Sequence, residues 1–261
     1  MSRDRSMAAE QERHFDERAA TWADRYRTHP SFRARLAVVG SAVDDELAAR
    51  PGARVLDYGG GPGLFAELAA QRAVDVVCID RSPAMVAWGE AHRAALTALL
   101  ADAGFHGEPG TVTRLAGDER AIPTAGTFDV VLAIAVLEYV DDPLGAVAAL
   151  ATTLRPGGVI LATVPDPRSP VRWAQAVAGP VTAALRGRSG RIADQSFAAL
   201  RPHDDRVPWR RAAEGAGLDV TRTIPVPLGE HGMRARLHPS TLVRLAPVDA
   251  SGVPKDGGGR G

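Results

Sequence analysis

Between residues 53 and 165 the chain changes pattern again and again, and this rhythm constrains the fold more than any other feature. Short apolar runs, "ARVLDY", "VDVVCID", "TVTRLAGD" and "FDVVLAIAVLEYV", have strand character. Between them, "GLFAELAAQRA", "SPAMVAWGEAHRAALTALLADAG" and "PLGAVAALATTL" repeat their apolar residues at helical spacing. The long middle helix opens with Ser82 as N-cap and Pro83 at its first position, and it closes near Gly104. Pro143 takes the first turn of the next helix. A fifth strand, "GGVILATVP", follows the turn "RPGG". Strand alternating with helix predicts an α/β fold, a parallel sheet with helices on both faces.

The flanks read differently. Residues 8–49 are helical, with Phe15, Ala19, Trp22 and Tyr26 at spacings of three and four. His29-Pro30 ends the first helix, and a second runs over about 31–49. After Pro165 the rhythm breaks into a proline- and arginine-rich stretch, read as an insertion over about 166–207. Order returns with a helix, "PWRRAAEGAG", a strand, "LDVTRTIPV", and a last strand near "STLVRLAPV". The expected organisation is an N-terminal helical unit over 1–50, one domain over 51–248, and a Gly-rich disordered tail over 249–261.

Composition excludes several classes. Basic and acidic residues balance at 31 each, so no net field draws the chain to nucleic acid or to an acidic membrane. No basic appended domain is seen. Cys78 is the single cysteine, which rules out a disulfide framework and points to a reducing compartment, taken as the cytoplasm. The first residues lack the apolar core of a signal peptide, and no apolar run reaches the ~18 residues of a membrane span. No pair of metal ligands stands at useful helical spacing, so no metal is expected.

The turn after the first strand carries the chemistry. "RVLDYGGGPGLF" places an acid and then a glycine-rich stretch between a strand and a helix, where doubly wound folds cradle a cofactor. The dinucleotide fingerprint requires Gly-x-Gly-x-x-Gly or Ala, and here Gly59 and Gly61 are followed by Leu64 at the third position. The register starting at Gly60 fails at Pro62. What fits is Asp57-x-Gly59-x-Gly61-x-Gly63.

That pattern resembles motif I of the class I S-adenosylmethionine-dependent methyltransferases. S-adenosylmethionine carries an ammonium, a sulfonium and a ribose diol and no phosphate, so an acid beside the loop is useful. The resemblance implies that Asp57 orders the loop and reaches the amino group, partly through water. Asp80, 23 residues further on at the end of the second strand, would accept the ribose hydroxyls. Arg81 and Met85 follow it in the cofactor-binding set. In "LAGDERAIP", Asp118 would face the adenine amino group, with Glu119 beside it. "FDVVLAIAVLEYVDDP" is similar to the family's fourth strand and loop, where Ile134 and Ala135 would line the adenine and methyl-donor side. "LRPGGVILATVP" resembles its fifth-strand segment.

The similarity runs in order over about residues 53–165 and is nearest to the small-molecule branch that includes the ubiquinone-biosynthesis O-methyltransferases. It implies a Rossmann-like sheet of seven strands, the last antiparallel. The N-terminal helices become a lid, with Trp22 and Tyr26 over the methionine part of the cofactor, where an aromatic face attracts a sulfonium. The branch usually has Leu-Glu-His-Val after the fourth strand, whereas this chain has Leu137-Glu138-Tyr139-Val140.

The expected reaction is methyl transfer from S-adenosylmethionine to a small organic acceptor, leaving S-adenosylhomocysteine. O-methylation in metabolite biosynthesis comes first; N- and C-methylation stay open. A base helps with a phenol of pKa ~10. His203 is the first candidate, at the close of the insertion, with His231 and Tyr139 in reserve. Two other readings remain, a cofactor-binding protein without turnover and an NAD-dependent oxidoreductase. Arg168, Arg172, Arg186, Arg188 and Arg191 form either a solvated surface or a site for an acidic partner. The expected state is a monomer or homodimer, with no nucleic-acid partner and no stable membrane insertion.

Overall fold

A computed structural model of the chain describes residue 13 and residues 15–22, 24–140, 142–166, 169–170 and 208–248. The expected insertion lies almost wholly outside the described residues, as do the tail at 249–261, His203 and the arginines between 168 and 191. Among the described residues, one sheet has seven strands: Arg54–Tyr58 (β1), Asp75–Asp80 (β2), Thr111–Ala116 (β3), Phe128–Ala133 (β4), Leu154–Pro165 (β5), Leu218–Val226 (β6) and Ser240–Pro247 (β7). Their order is β3-β2-β1-β4-β5-β7-β6. The pairs from β3 to β5 are parallel, and β7 runs antiparallel to both its neighbours.

Side chains alternate along each strand, and this divides the core into two layers. Val55, Val76, Val130 and Leu161 face one way, beneath the Pro30–Ala48, Leu64–Ala70 and Arg93–Asp102 helices. Leu56, Val77, Val131 and Ile160 face the other, against the Pro143–Thr152 and Pro208–Gly215 helices. Both faces of the central strands are therefore covered, which is why they read as near-continuous apolar runs.

The N-terminal helices divide in role. Leu36, Val39, Val43 and Leu47, at helical spacing on Pro30–Ala48, are at most 3% exposed. Each stabilises the fold by ~2 kcal/mol relative to leaving it in water. That helix is a layer of the core, and of the stretch before it Ala19 and Tyr26 are buried as well.

Local boundaries depart from the sequence reading in four places. Pro30 begins the second helix rather than ending the first: His29 is extended (φ −99°, ψ 120°) and Pro30 takes the first helical position. A turn at residues 17–18 interrupts the first stretch, and helix is described after it over Ala19–Trp22 and Asp24–Thr28. The expected long helix after Ser82 breaks at His92 into Pro83–Ala91 and Arg93–Asp102. The "RPGG" turn belongs to β5, whose ladder with β4 is irregular there.

Candidate functional site

Strand β1 has β2 on one side and β4 on the other, so the order of the sheet reverses here and leaves an opening at the strands' C-terminal ends. The turn from Tyr58 to Leu64 fills its floor. The Gly59 and Gly60 N–H groups both donate to the Ile79 carbonyl, at 2.7 and 3.3 Å. The Gly61 N–H donates to Asp80 Oδ2 at 2.7 Å. Two of the glycines are required. At Gly59 (φ 66°) a Cβ would fall 2.1 Å from Val136 Cγ2, so two loops meet there at closest approach. At Gly61 (φ 58°) the nearest atoms to a Cβ are Trp22 Nε1 and Met85 Sδ, at 3.8 and 3.9 Å, and both of those residues line the cleft. The backbone comes to the cleft surface at this point.

Two acids end adjacent strands and meet different fates. Asp57 pairs with Cys78, two residues short of Asp80 along β2, and so stands deeper in the sheet. It is 1% exposed, lies under Gly60 and is not among the lining residues. Burial pushes its carboxyl up to about 7, against a backbone hydrogen bond from Ala66 that lowers it and the Asp80 charge that raises it further. Its Oδ1 has no hydrogen-bond partner. Asp80 lines the cleft. Its Oδ1 accepts from the Ser82 N–H at 2.9 Å and its Oδ2 from Gly61, so the carboxylate is fixed in orientation while each oxygen keeps a lone pair. Burial raises its pKa, opposed by those two N–H groups and the Arg81 charge, with Asp16 pushing the same way as burial.

The roof is aromatic. Phe15 meets Trp22 and Tyr139 edge to face, at ring centroid distances of 5.9 and 5.3 Å. Tyr26 is buried and meets Phe65 edge-on at 5.9 Å; burial raises its hydroxyl pKa, and Arg35, which hydrogen-bonds it, pulls the other way. The Arg35 guanidinium lines the cleft, and its Nε is buried without a partner. A polar bond ties roof to floor. The Ser82 hydroxyl, which accepts the Met85 N–H at 3.1 Å as helix N-cap, donates to Asp16. Floor and roof enclose about 960 Å³, part of it open to solvent.

Of the residues singled out in the sequence, Tyr26, Gly59, Gly61, Asp80, Arg81, Met85, Asp118, Ile134, Ala135 and Tyr139 line this one cleft. Asp57 and Gly63 do not: they lie beneath it, Gly63 as the N-cap residue of Leu64–Ala70. The backbone of Glu119 forms a short 3-10 turn after Asp118. His231 is exposed at the N-cap of Gly232–Ala235 and is not brought to the cleft. The nearby ion pair of Arg33 with Glu230, at 3.1 Å, ties its segment to the Pro30–Ala48 helix instead. Arg35 and Tyr58 were missed. Tyr58 stood in the quoted turn, directly after Asp57, but nothing in the spacing separates Arg35 from the surface arginines around it. No group of three or more potential metal ligands occurs among the described residues. No helix among them is long and apolar enough to cross a membrane.

A family model described as a methyltransferase domain matches residues 14–223. The ubiquinone biosynthesis O-methyltransferase of Xanthomonas campestris pv. campestris is 33% identical over 202 residues, which cover 76% of this chain and 77% of that protein. Among solved structures, magnesium protoporphyrin IX methyltransferase from Synechocystis PCC 6803 with bound S-adenosylhomocysteine superposes with a TM-score of 0.57 at 17% identity, covering 83% and 84% of the two chains. A putative Haloferax volcanii methyltransferase, solved in complex with the Trm112 methyltransferase activator, gives 0.58 at 19% identity and covers 89% and 97%. At these identities the structural matches speak to fold.

Proposed function

This chain belongs to the class I S-adenosylmethionine-dependent methyltransferases, and from that premise we propose that it methylates an oxygen of a small organic molecule in the cleft described above. The observation that carries the site is Asp80, a carboxylate held by two backbone N–H groups at the rim of an aromatic-roofed cleft. When bound, S-adenosylmethionine supplies an electrophilic methyl group on a sulfonium.

The residues present fit that molecule. Asp80 keeps one acceptor site on each oxygen, which suits a ribose diol. Gly61 offers bare backbone at the cleft surface. Arg35 has an unpartnered buried Nε and stands to take a carboxylate. Trp22, Tyr26 and Phe15 line the cleft with aromatic rings, whose faces attract a cation. Asp118, Ile134, Ala135, Arg81 and Met85 complete the wall, and Glu119 is the remaining candidate from the sequence. Asp57 acts from beneath, packed where Gly60 leaves room for it, and gains negative charge under the loop as pH rises past about 7. The dinucleotide alternative is disfavoured by Leu64, which is buried at the position where that fingerprint needs Gly or Ala.

The chain's contribution to rate is alignment, since one displacement between two held reactants gains most from proximity. Tyr139 lines the cleft and is the base candidate that the geometry supports; His203 lies outside the described residues. The oxygen assignment is supported by the O-methyltransferase relative, with nitrogen or carbon acceptors as the second reading. A cytoplasmic monomer or homodimer fits the balanced charge and the single buried cysteine, and of the lid expected over 1–50, Phe15, Trp22, Tyr26 and Arg35 reach the cleft.

The deciding experiment is calorimetric titration with S-adenosylhomocysteine, with NADH in parallel, followed by S-adenosylmethionine turnover against phenols, carboxylic acids and amines. Micromolar binding of S-adenosylhomocysteine alone and product from a hydroxyl or carboxyl acceptor is expected. NADH binding would overturn the cofactor site, methylation of amines alone the oxygen assignment, and binding without any turnover the enzyme reading.

A further inference from the structure

Ala135 has φ 54°, the left-handed region that an alanine seldom enters. It stands in the cleft wall. A backbone outlier at such a place persists only when its surroundings enforce it. Here the enforcing group is identifiable. Strand β4 pairs with β5 as far as Ala133 and Ala162, and then the chain leaves the sheet. The Ala135 N–H has no ladder partner there. It donates instead to the side-chain hydroxyl of Thr163 at 2.7 Å, the next residue along β5. Thr163 is 4% exposed and its own backbone is committed to β7, opposite Leu242.

The conformation has a second consequence. The residue after Ala135 is Val136, whose methyl fills the space that a Cβ on Gly59 would take. The Val136 carbonyl then accepts the Tyr139 N–H at 2.8 Å, which sets the turn carrying Tyr139 to the cleft. The wall from Ile134 to Tyr139 thus meets the glycine loop at Val136 and Gly59, and the Thr163 hydroxyl ties its first turn to the sheet, with Ile134 and Leu137 packed into the core.

We propose that Thr163 is a positioning residue for methyl transfer: its hydroxyl holds Ala135 in the left-handed turn that seats the Ile134–Tyr139 wall against the Gly59 loop, and so sets the shape of the cofactor cleft. The inference rests on the cofactor reading above. Valine is the test residue, because it keeps the shape of threonine and removes the acceptor.

The experiment compares wild type, Thr163→Val, Thr163→Ser and the double variant Thr163→Val with Ala135→Gly. Two quantities are read: the dissociation constant for S-adenosylhomocysteine, and amide hydrogen exchange at Ala135, which needs no ligand. Thr163→Val is expected to weaken binding about tenfold and to expose the Ala135 amide to faster exchange. Thr163→Ser should restore both. The double variant should recover part of the affinity, because glycine enters the left-handed region unaided. Should Thr163→Val fail to fold, Thr163→Ala carries the same comparison. Wild-type affinity in the hydroxyl-free variants, or a loss in Thr163→Ser equal to that in Thr163→Val, overturns the proposal. If wild type does not bind S-adenosylhomocysteine while Ala135 exchange still follows the hydroxyl, the cofactor reading fails and the anchoring of the turn stands.

Discussion

The floor and the roof of the cleft are built by different means. The floor is main chain: Gly59, Gly60 and Gly61 are each fixed through their N–H groups to Ile79 or Asp80, with Asp57 buried beneath them and Asp80 half-buried beside them. The roof is side chain: Phe15, Trp22 and Tyr26 stand on short helical stretches either side of a turn at residues 17–18, and isolated helices shorter than ~12 residues are marginal in water. These rings hold to one another edge-on, and Asp16 reaches the floor through Ser82. A floor of this kind has its geometry before any ligand arrives. The roof gains its order by packing, so recognition belongs to the floor and closure to the roof.

Substitutions can break this contrast in graded steps. Gly61→Val puts a branched side chain at φ 58° and into the cleft, and it should weaken S-adenosylhomocysteine binding by at least about 100-fold in a protein whose circular dichroism is unchanged. Asp80→Ala should cost about 10- to 100-fold by the same titration, since it strips the Gly61 and Ser82 N–H groups of their acceptor as well as the ligand's hydroxyls. Unchanged affinity there would remove Asp80 from the site. Trp22→Ala, in the roof, should cost only about fivefold and raise the dissociation rate more than it lowers association. If it matches Asp80→Ala instead, the roof takes part in recognition and the contrast fails.

The smallest effect expected is electrostatic. The folded chain keeps a proton on Asp57 up to about pH 7, while the unfolded chain releases it near 3.8. Between those values the native state binds the extra proton, so this group's contribution to stability falls as pH rises and levels off above about 7. Asp57→Asn should therefore melt several degrees above wild type at pH 8 and close to it at pH 4. A cationic ligand favours the ionised carboxyl, so wild-type affinity should rise modestly from pH 6 to 8, and Asp57→Asn should lose that slope. A flat wild-type profile would mean that Asp57 does not sense the site.

The floor was far more legible than the roof. Alternating strands and helices are dictated by burial on both faces of β1, β2 and β4, and burial shows along the apolar middle of each of those runs. The Ser82 cap was readable because a hydroxyl before a proline has one favourable use at a helix start, and its bond to Met85 is present. The helix break at His92 was not readable. There the imidazole stacks on Trp88 at 4.4 Å and bonds the Trp88 carbonyl, a local competition that periodicity does not record. The implied contact of Asp57 with the ligand also did not materialise as a cleft-lining side chain, because sequence places both acids at strand ends and only the pairing with Cys78 shows that one stands lower. Arg35 and Thr163 gave no signal at all. Thr163 matters through Ala135, which is distant in sequence, and Arg35 through its place in the cleft wall beside Tyr26.

Strand β7 lies between β5 and β6 and hydrogen-bonds to both, yet it follows them in the chain. On the ribosome, Leu218–Val226 therefore emerges with neither of its edges satisfied, beside a β5 whose outer edge is also bare. The interval is a few seconds at ~5–20 residues per second. During it the nascent chain displays three unpaired edges, each a template for the wrong neighbour. Ser240–Pro247 closes two of them at once and leaves the outer edge of β6, which ends the sheet. A translational pause within Pro227–Pro239 would lengthen that exposure, while the glycine loop and its acids, drawn from strands already made, would be little affected.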